Sequence, residues 1–433
     1  MKILVVSSVY PRFPEDSEVP WLRRSVACLK EKGNEIKILA PAYKGLKSHT
    51  IDGIEVKRFR YATKDLEILT HDEGAPSKMA NKPWLQLLAI PYIISGIFKC
   101  LSLVRTYKPD IIHAHWPFPH GLIVLLAAKL FNIPIVLNFH GAELLLIKKH
   151  PFVRPVLAFL IGQADAIFAN SSFTAKKIQQ IRSCQVEISP YGTTLSTKAS
   201  GVLHTVQEKF KILFVGRHIE RKGITYLLQA AQKLSPEKFE IRIVGQGDLT
   251  NALKQEASNI SNVIFTGKLS PEDLEKEYRE ANVFVLPAII DSKGDTEGLG
   301  VVLIEAVEND LVLVASNVGG IPDVVIHNKT GILVNQKNPQ ELADAFNTLA
   351  KDPELCNLNL NVMLAADLFY SLANYLTKIG LNILTDDKDN FIKARLNSVV
   401  NRVVHNYLAA LAHRLKLLYS AAKAGANSCG HNK

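Results

Sequence analysis

Cysteine is scarce in this 433-residue chain. Cys28, Cys100, Cys184, Cys356 and Cys429 are odd in number, scattered, and never form a C-x-x-C pair. That argues against a disulfide framework or a cysteine zinc site and predicts a reducing cytoplasm. Long apolar runs are missing as well. The stretch WLQLLAIPYIISGIF (84–98) carries no charge but is interrupted by Pro91 and followed by Lys99. It falls short of the roughly 20 residues a spanning helix needs, so it predicts a buried or interfacial helix and a soluble or peripheral protein. The ILVV that follows Met1-Lys2 is too short for a signal peptide. No short-period repeat, low-complexity tract or aromatic-interleaved basic motif is present, which sets nucleic acid aside as a partner.

What is present is first a lopsided charge. Residues 1–195 hold 25 Lys+Arg against 15 Asp+Glu, whereas residues 196–433 hold 26 of each. The whole excess of +10 lies in the first half. Such a half suits an anionic membrane surface or an acidic substrate, and it serves equally as plain solubility charge.

Hydrophobic residues make up 47% of the chain, enough for large cores. Apolar runs alternate with helical patterns. KILVVSS (2–8), EIKILAP (35–41), DGIEVKRFRY (52–61), DIIHAHW (110–116), IPIVLNFHG (133–141) and AIFANS (166–171) read as strands, with helices over 20–32 and 121–131. Near 192–208 the composition turns to Gly, Thr, Ser and Lys, which predicts a linker. The rhythm then restarts from FKILFVGR (210–217) through GILVN (331–335), with helices over 222–234, 249–258, 271–281, 302–308 and 339–350. Strand–helix alternation predicts parallel sheets with helices on both faces. The expected organisation is an α/β chain of two doubly wound, Rossmann-like domains, 1–195 and 196–356, with a ligand cleft at the carboxyl ends of their strands. Residues 357–433 break the rhythm and read as an amphipathic helical extension with a net charge of +5.

Several motifs fall at those strand ends. In TEGLGVVLIEA, Glu297 and Glu305 flank a glycine-containing stretch that passes from loop to helix. A helix start offers unpaired N–H groups to phosphate, and two carboxylates suit sugar hydroxyls. A glycine turn before a buried helix, with two incidental acids, is the plainer reading. Gly216-Arg217 closes a strand, and Lys222-Gly223 opens the next helix. Two cations there suit a diphosphate, and surface cations explain the pattern as well. Gly245 lies in IVGQGD, which is not a G-x-G-x-x-G fingerprint; it suits a wall against a nucleobase or a plain turn. His113, His115 and His140 end two strands of the first domain, where a histidine meets a substrate or simply serves the core. H-x-H with no third ligand nearby makes a poor metal site, so no metal is expected.

The order GRxxxxKG, VGQGD, TGxLS, E-x7-E and VGGIPDVV resembles the retaining, nucleotide-sugar-dependent glycosyltransferases of family 4, over roughly residues 1–356. The first domain resembles a bacterial subgroup through YPRFPxDSE, DIIHAHW and FHGAE. The resemblance implies the GT-B fold and no cofactor beyond the donor substrate. It implies that Arg217 and Lys222 hold the donor diphosphate, that Glu297 contacts the donor sugar and that Glu305 contacts the ribose. Gly298, Leu299, Gly300 and Val301 would add backbone amides to the phosphate site, beside Gly216 and Gly245. His140 would lie next to the transferred sugar. The acceptor, a glycan or a lipid-linked sugar, would enter near His113, His115 and the early loop containing Glu18. The implied setting is cytoplasmic, at the inner face of the cell membrane, in cell-envelope or exopolysaccharide synthesis.

The chain also departs from that pattern. Relatives carry glycines where this chain has Glu18-Val19-Pro20, and valine enters the φ > 0 region only at a cost. After Glu305, Val307 to Leu311 replaces a small–Cys–Gly–x–Pro turn, with Asn309 expected in the left-handed conformation. The aromatic closing helix of the family is missing. A nucleotide-sugar epimerase, a phosphorylase-like enzyme and a non-catalytic GT-B partner protein are the alternative readings on the same fold.

Overall fold

The computed structural model describes residues 1–191 and 208–352, apart from 17, 73–74, 76–77 and 80–81. The expected helical extension at 357–433, and all but the last residue of the expected linker, lie outside them.

The first sheet has eight strands: β1 (Lys2–Val6), β2 (Glu35–Pro41), β3 (His49–Ile51), β4 (Ile54–Phe59), β5 (Ile111–His115), β6 (Ile135–Phe139), β7 (Ala166–Ala169) and β8 (Glu187–Ile188). Their order is β3-β4-β2-β1-β5-β6-β7-β8. Its helices are α1 (Pro20–Glu31), α2 (Ala89–Tyr107), α3 (Pro117–Phe131), α4 (Ala142–Lys149), α5 (Val153–Ile161) and α6 (Ser172–Gln179). The second sheet contains β9 (Phe210–Val215), β10 (Phe239–Val244), β11 (Val263–Gly267), β12 (Val283–Leu286), β13 (Val312–Ser316) and β14 (Gly331–Val334), ordered β11-β10-β9-β12-β13-β14. Helices α7 (Ile224–Ala231), α8 (Thr250–Glu256), α9 (Pro271–Glu280), α10 (Val301–Glu308) and α11 (Pro339–Lys351) belong with it.

The inner strands are buried end to end. Leu4, Val5 and Val6 of β1 and the whole of β12 and β13 are covered on both faces, as continuous aliphatic runs in parallel sheets require. Strand order reverses direction at two places, beside β1 (between β2 and β5) and beside β9 (between β10 and β12). Ligand crevices of doubly wound sheets open at such switch points, beyond the strand carboxyl ends. Gly216-Arg217 follows β9 directly, and His113 and His115 end β5.

Three expectations need correction. The run 52–61 is not one strand. Asp52 (φ 53°) and Gly53 (φ 68°) form the two-residue turn of an antiparallel β3–β4 hairpin, as an Asp-Gly pair favours. The apolar stretch 84–98 is not bounded by Pro91 and Lys99 either. Helical structure runs over Pro83–Tyr107, 25 residues, long and apolar enough by length and composition to cross a membrane. Pro91 falls in the first turn of α2, where no backbone N–H is needed. One face of α2 (Tyr92, Gly96, Cys100, Val104) is buried in the first domain's core, and Gly96 lets Ile123 of α3 approach closely. Finally, Asp310 (φ 58°), not Asn309, takes the left-handed conformation after α10; Asn309 instead donates its side-chain amide to the Glu305 carbonyl at 2.8 Å.

Val19 does enter the left-handed region, at φ 43°, ψ 55°, as the residue before α1. Its carbonyl accepts from the amides of Leu22 and Arg23 at 2.9 and 3.2 Å. Asp16, paired with Arg12 at 2.7 Å, also accepts from the Glu18 amide, which holds the loop in place. A β-branched residue pays about 1–2 kcal/mol for this conformation. Val19→Gly removes that strain and returns less than about 1 kcal/mol in unfolded-chain entropy. The variant should therefore melt at or above the wild-type temperature, and a clear drop in Tm would contradict this account of the loop.

Candidate active site

On the second domain, β9 delivers Arg217 to the crevice. It is exposed, and its guanidinium makes no hydrogen bond or ion pair among the described residues, while its carbonyl accepts from the Ile219 amide at 3.0 Å. A short 3-10 turn, Glu220–Lys222, follows, and Gly223 caps α7. Lys222 is buried and donates to Glu297 Oε2 in a very short ion pair. Arg221 next to it pairs with Asp295 at 2.9 Å. Burial pushes the Glu297 carboxyl up, but the Lys222 ammonium, joined by the Arg221 and Arg217 guanidiniums, outweighs it and holds the group below the usual carboxylate range.

The loop that carries Glu297 is pinned from behind. The Gly320 amide donates to the Glu297 carbonyl at 3.0 Å. A Cβ at Gly320 would stand 2.0 Å from the Gly298 carbonyl oxygen and 2.8 Å from Cβ of Ser171. No other residue fits there. Gly245 is equally constrained: at φ 122° its missing Cβ makes room for the Gly216 carbonyl, 2.0 Å from where that atom would lie. The glycine turns after β9 and β10 thus lie backbone to backbone. Leu299 is buried, Gly300 precedes α10 at φ 87°, and Val301 begins that helix. Glu305, one turn further on, is buried and accepts from the Tyr278 hydroxyl at 3.0 Å.

On the first domain, strand period two puts His113 and His115 on one face of β5, with ring centroids 4.2 Å apart. Both are buried, and His113 Nε2 lies 3.4 Å from Asn138 Oδ1. His140 sits beyond β6 among Trp21, Trp116 and Tyr191, whose ring centroids are 4.7, 4.6 and 5.6 Å away. Its Nδ1 meets the Tyr191 hydroxyl at 2.7 Å and its Nε2 meets His115 Nδ1 at 3.0 Å. Asn170 Nδ2 donates to the Tyr191 hydroxyl at 3.1 Å. With both rings neutral, that donation leaves the tyrosine proton for His140 Nδ1, so His140 Nε2–H donates to His115. Both nitrogens of His140 are thereby engaged within the protein. Its backbone amide donates to Glu143 Oε1 at 2.8 Å.

The two domains meet at this point. A Cβ on Gly298, the residue after Glu297, would stand 3.3 Å from Asn170 Nδ2 and 3.6 Å from the His140 carbonyl oxygen. Asp323, from VGGIPDVV, accepts from the Ser172 hydroxyl at 2.6 Å and from its amide at the start of α6. The structure therefore brings Arg217, Lys222, Glu297, Gly298 and His140 to one crevice, with His115 behind His140. Glu18 belongs to another group, in the early loop: it accepts from the Asp72 amide at 3.1 Å, and Asp72 pairs with Arg12. His113 is covered and supports the cluster rather than facing it. Trp21, Tyr191 and Asn170 carry parts of the site that no motif announced, and Arg221 and Gly320 lie inside motifs whose pattern did not single them out. Among the described residues, no three His, Cys, Asp or Glu side chains are grouped to hold a metal ion.

Residues 22–196 match the family described as Glycosyltransferase Family 4, and residues 197–358 match Glycosyl transferases group 1. The putative teichuronic acid biosynthesis glycosyltransferase TuaC of Bacillus subtilis is 25% identical over 366 residues, 80% of this chain and 88% of TuaC. Sucrose-phosphate synthase from Thermosynechococcus elongatus aligns with a TM-score of 0.70 at 19% identity, over 89% of this chain and 100% of that one. Anabaena HepE, solved in complex with UDP-glucose, aligns with a TM-score of 0.60 at 16% identity, over 87% of this chain and 100% of that one.

Two outcomes follow from the geometry. Gly320→Ala should displace the Glu297 loop and lower stability by about 1–3 kcal/mol, the scale of overpacking; a denaturant midpoint equal to wild type would show that the loop yields freely. Burial holds His115 and His140 well below the ordinary histidine range and brings His113 and His120 down to about 4. Between pH 6.5 and 4 the unfolded chain therefore binds more protons at these sites, and stability falls on acidification. Glu143, pushed up to about 7 by burial, works the other way between about pH 4.5 and 7, as one group against four. The melting temperature should drop from pH 7.5 to pH 5, as stability falls below pH 6.5 by up to about 1.4 kcal/mol per histidine per pH unit. A flat profile would mean that the histidines titrate freely.

Proposed function

Because this chain belongs to glycosyltransferase family 4 and has its GT-B fold of two Rossmann-like domains, we propose that it moves a sugar from a nucleoside diphosphate sugar to a glycan or lipid-linked acceptor, keeping the anomeric configuration. The observation that carries this reading is Arg217 at the β9 switch point, its guanidinium without a partner among the described residues, beside the part-buried Lys222–Glu297 pair and within the crevice that His140 closes. In the reading, domain 196–356 binds the donor and domain 1–195 receives the acceptor.

A diphosphate entering beside Arg217 meets one planar fork already free and one ammonium shared with a carboxylate. As charge grows on the departing diphosphate, Lys222 shifts its interaction from Glu297 toward phosphate, and both cations stabilise the leaving group. Glu297, so released, is positioned to accept hydrogen bonds from sugar hydroxyls, and Glu305, oriented by Tyr278, from the ribose. Glu297 stays within the field of the Arg221 and Arg217 guanidiniums, a commitment that suits positioning rather than covalent attack. Departure and attack on the same face, with the leaving phosphate taking the acceptor proton, fit that commitment. The domain contact around Gly298 and His140 keeps water from the donor. The setting proposed is the cytoplasmic side of the cell membrane, in cell-envelope or exopolysaccharide synthesis; the relative TuaC is named for teichuronic acid biosynthesis.

A thermal-shift panel of UDP-, GDP- and ADP-sugars tests the donor; a sugar at 100 times its Kd stabilises by about 2.7 kcal/mol. Product analysis of the anomeric centre then separates transfer from epimerisation and from mere binding. Arg217→Ala breaks no side-chain hydrogen bond or ion pair among the described residues, so its stability should stay within about 0.5 kcal/mol, while transfer should weaken by about 2–4 kcal/mol in the transition state. Unchanged turnover in a folded Arg217→Ala protein would remove the diphosphate assignment.

A further inference from the structure

Helices α2 and α3 pack side by side on the first sheet, yet the side they turn outward is apolar. On α2, Leu87 just before the helix, then Ile90, Ile94 and Phe98, recur at steps of three or four residues and form one stripe. Leu87 is 74%, Ile90 66% and Phe98 68% exposed. On α3, Leu126 and Leu130 are also exposed, the latter by 66%. Soluble surfaces scatter single apolar residues; a row of this kind marks an interaction site. The stripe is about 16 Å long at helical rise and lies between two exposed cations, Lys82 before it and Arg105 on the same side of α2 after it. Lys129 adds a third beside Leu130. Within residues 82–131 the only carboxylate is Asp110, and it accepts from the Lys2 amide at 2.6 Å.

We propose that this α2–α3 face docks onto an anionic lipid surface, the apolar stripe entering the headgroup–acyl boundary and Lys82, Arg105 and Lys129 meeting lipid phosphates. A second copy fits less well, because self-association would bring like charges together, whereas an anionic bilayer complements both the apolar and the cationic parts. The placement also suits an acceptor held at a membrane: α3 starts at Pro117, two residues after His115, so the face adjoins the acceptor side of the crevice. In that respect the inference adds a partner to the transfer reading, but lipid docking does not require sugar transfer.

Flotation of the full chain with vesicles tests it. Wild type should float with phosphatidylcholine vesicles containing about 30% phosphatidylglycerol, and recovery should fall steeply with added salt. Leu87→Gln/Phe98→Gln alters exposed side chains only and should bind at least about tenfold more weakly, with melting and with transfer to a water-soluble acceptor unchanged. Trp84, exposed next to the stripe, supplies a second readout in the unaltered protein: its emission should shift to the blue with anionic vesicles and not in a Trp84→Phe control. The proposal is overturned if the double variant floats like wild type, if neutral vesicles recover the protein equally, or if wild type stays unbound because residues 353–433 or another copy cover the face. Failure of transfer with flotation intact would instead count against the transfer reading alone.

Discussion

A lysine ammonium and a glutamate carboxylate share one buried crevice, and much of the site's order follows from that pair. Lys222 and Glu297 come from elements 75 residues apart, and each would be costly to bury alone. Together they tie the 3-10 turn after β9 to the loop before α10. Neither charge is then an isolated liability, and Arg217 is left as the cation without a partner among the described residues. Truncating one partner would leave an uncompensated buried charge, which explains why the Lys222–Glu297 unit has to be probed through Arg217.

The first domain is organised by a different economy of groups. Four histidines, two tryptophans and a tyrosine gather where β5 and β6 end, and burial keeps the rings neutral. Neutral imidazoles have one donor and one acceptor each, so a chain of bonds from Asn170 through Tyr191 and His140 to His115 sets the direction of those two rings. The residues that direct that chain lie far apart in sequence, between position 115 and position 191.

Sequence patterns revealed some of this and not the rest, for physical reasons. The strands were legible because parallel sheets covered on both faces demand long aliphatic runs, and Glu297, Glu305, Arg217 and Lys222 because they sit at fixed offsets from those strands. The β3–β4 hairpin was legible too, in Asp52-Gly53, but alternation through 52–61 masked the turn. Pro91 suggested a break where it only marked a first helical turn. Val19 took a conformation that its side chain disfavours because the Arg12–Asp16 pair fixes the loop around it. Trp21, Asn170 and Tyr191 left no local trace; they matter through contacts between segments, which no spacing records. Gly320 stood in a quoted motif, yet its role depends on a carbonyl from a loop more than twenty residues earlier.

The Asp323 carboxylate gives the two lobes a shared boundary. It binds the first amide and hydroxyl of α6 of one lobe while belonging to the other, adding to the cap that Ser171 already supplies by accepting from the Thr174 amide. Any swing that parts the lobes must rehydrate both the carboxylate and the helix end, a charge-assisted exchange on the order of 1.5–3 kcal/mol. That is a few multiples of thermal energy, small enough for the cleft to breathe on its own and large enough to draw it shut again.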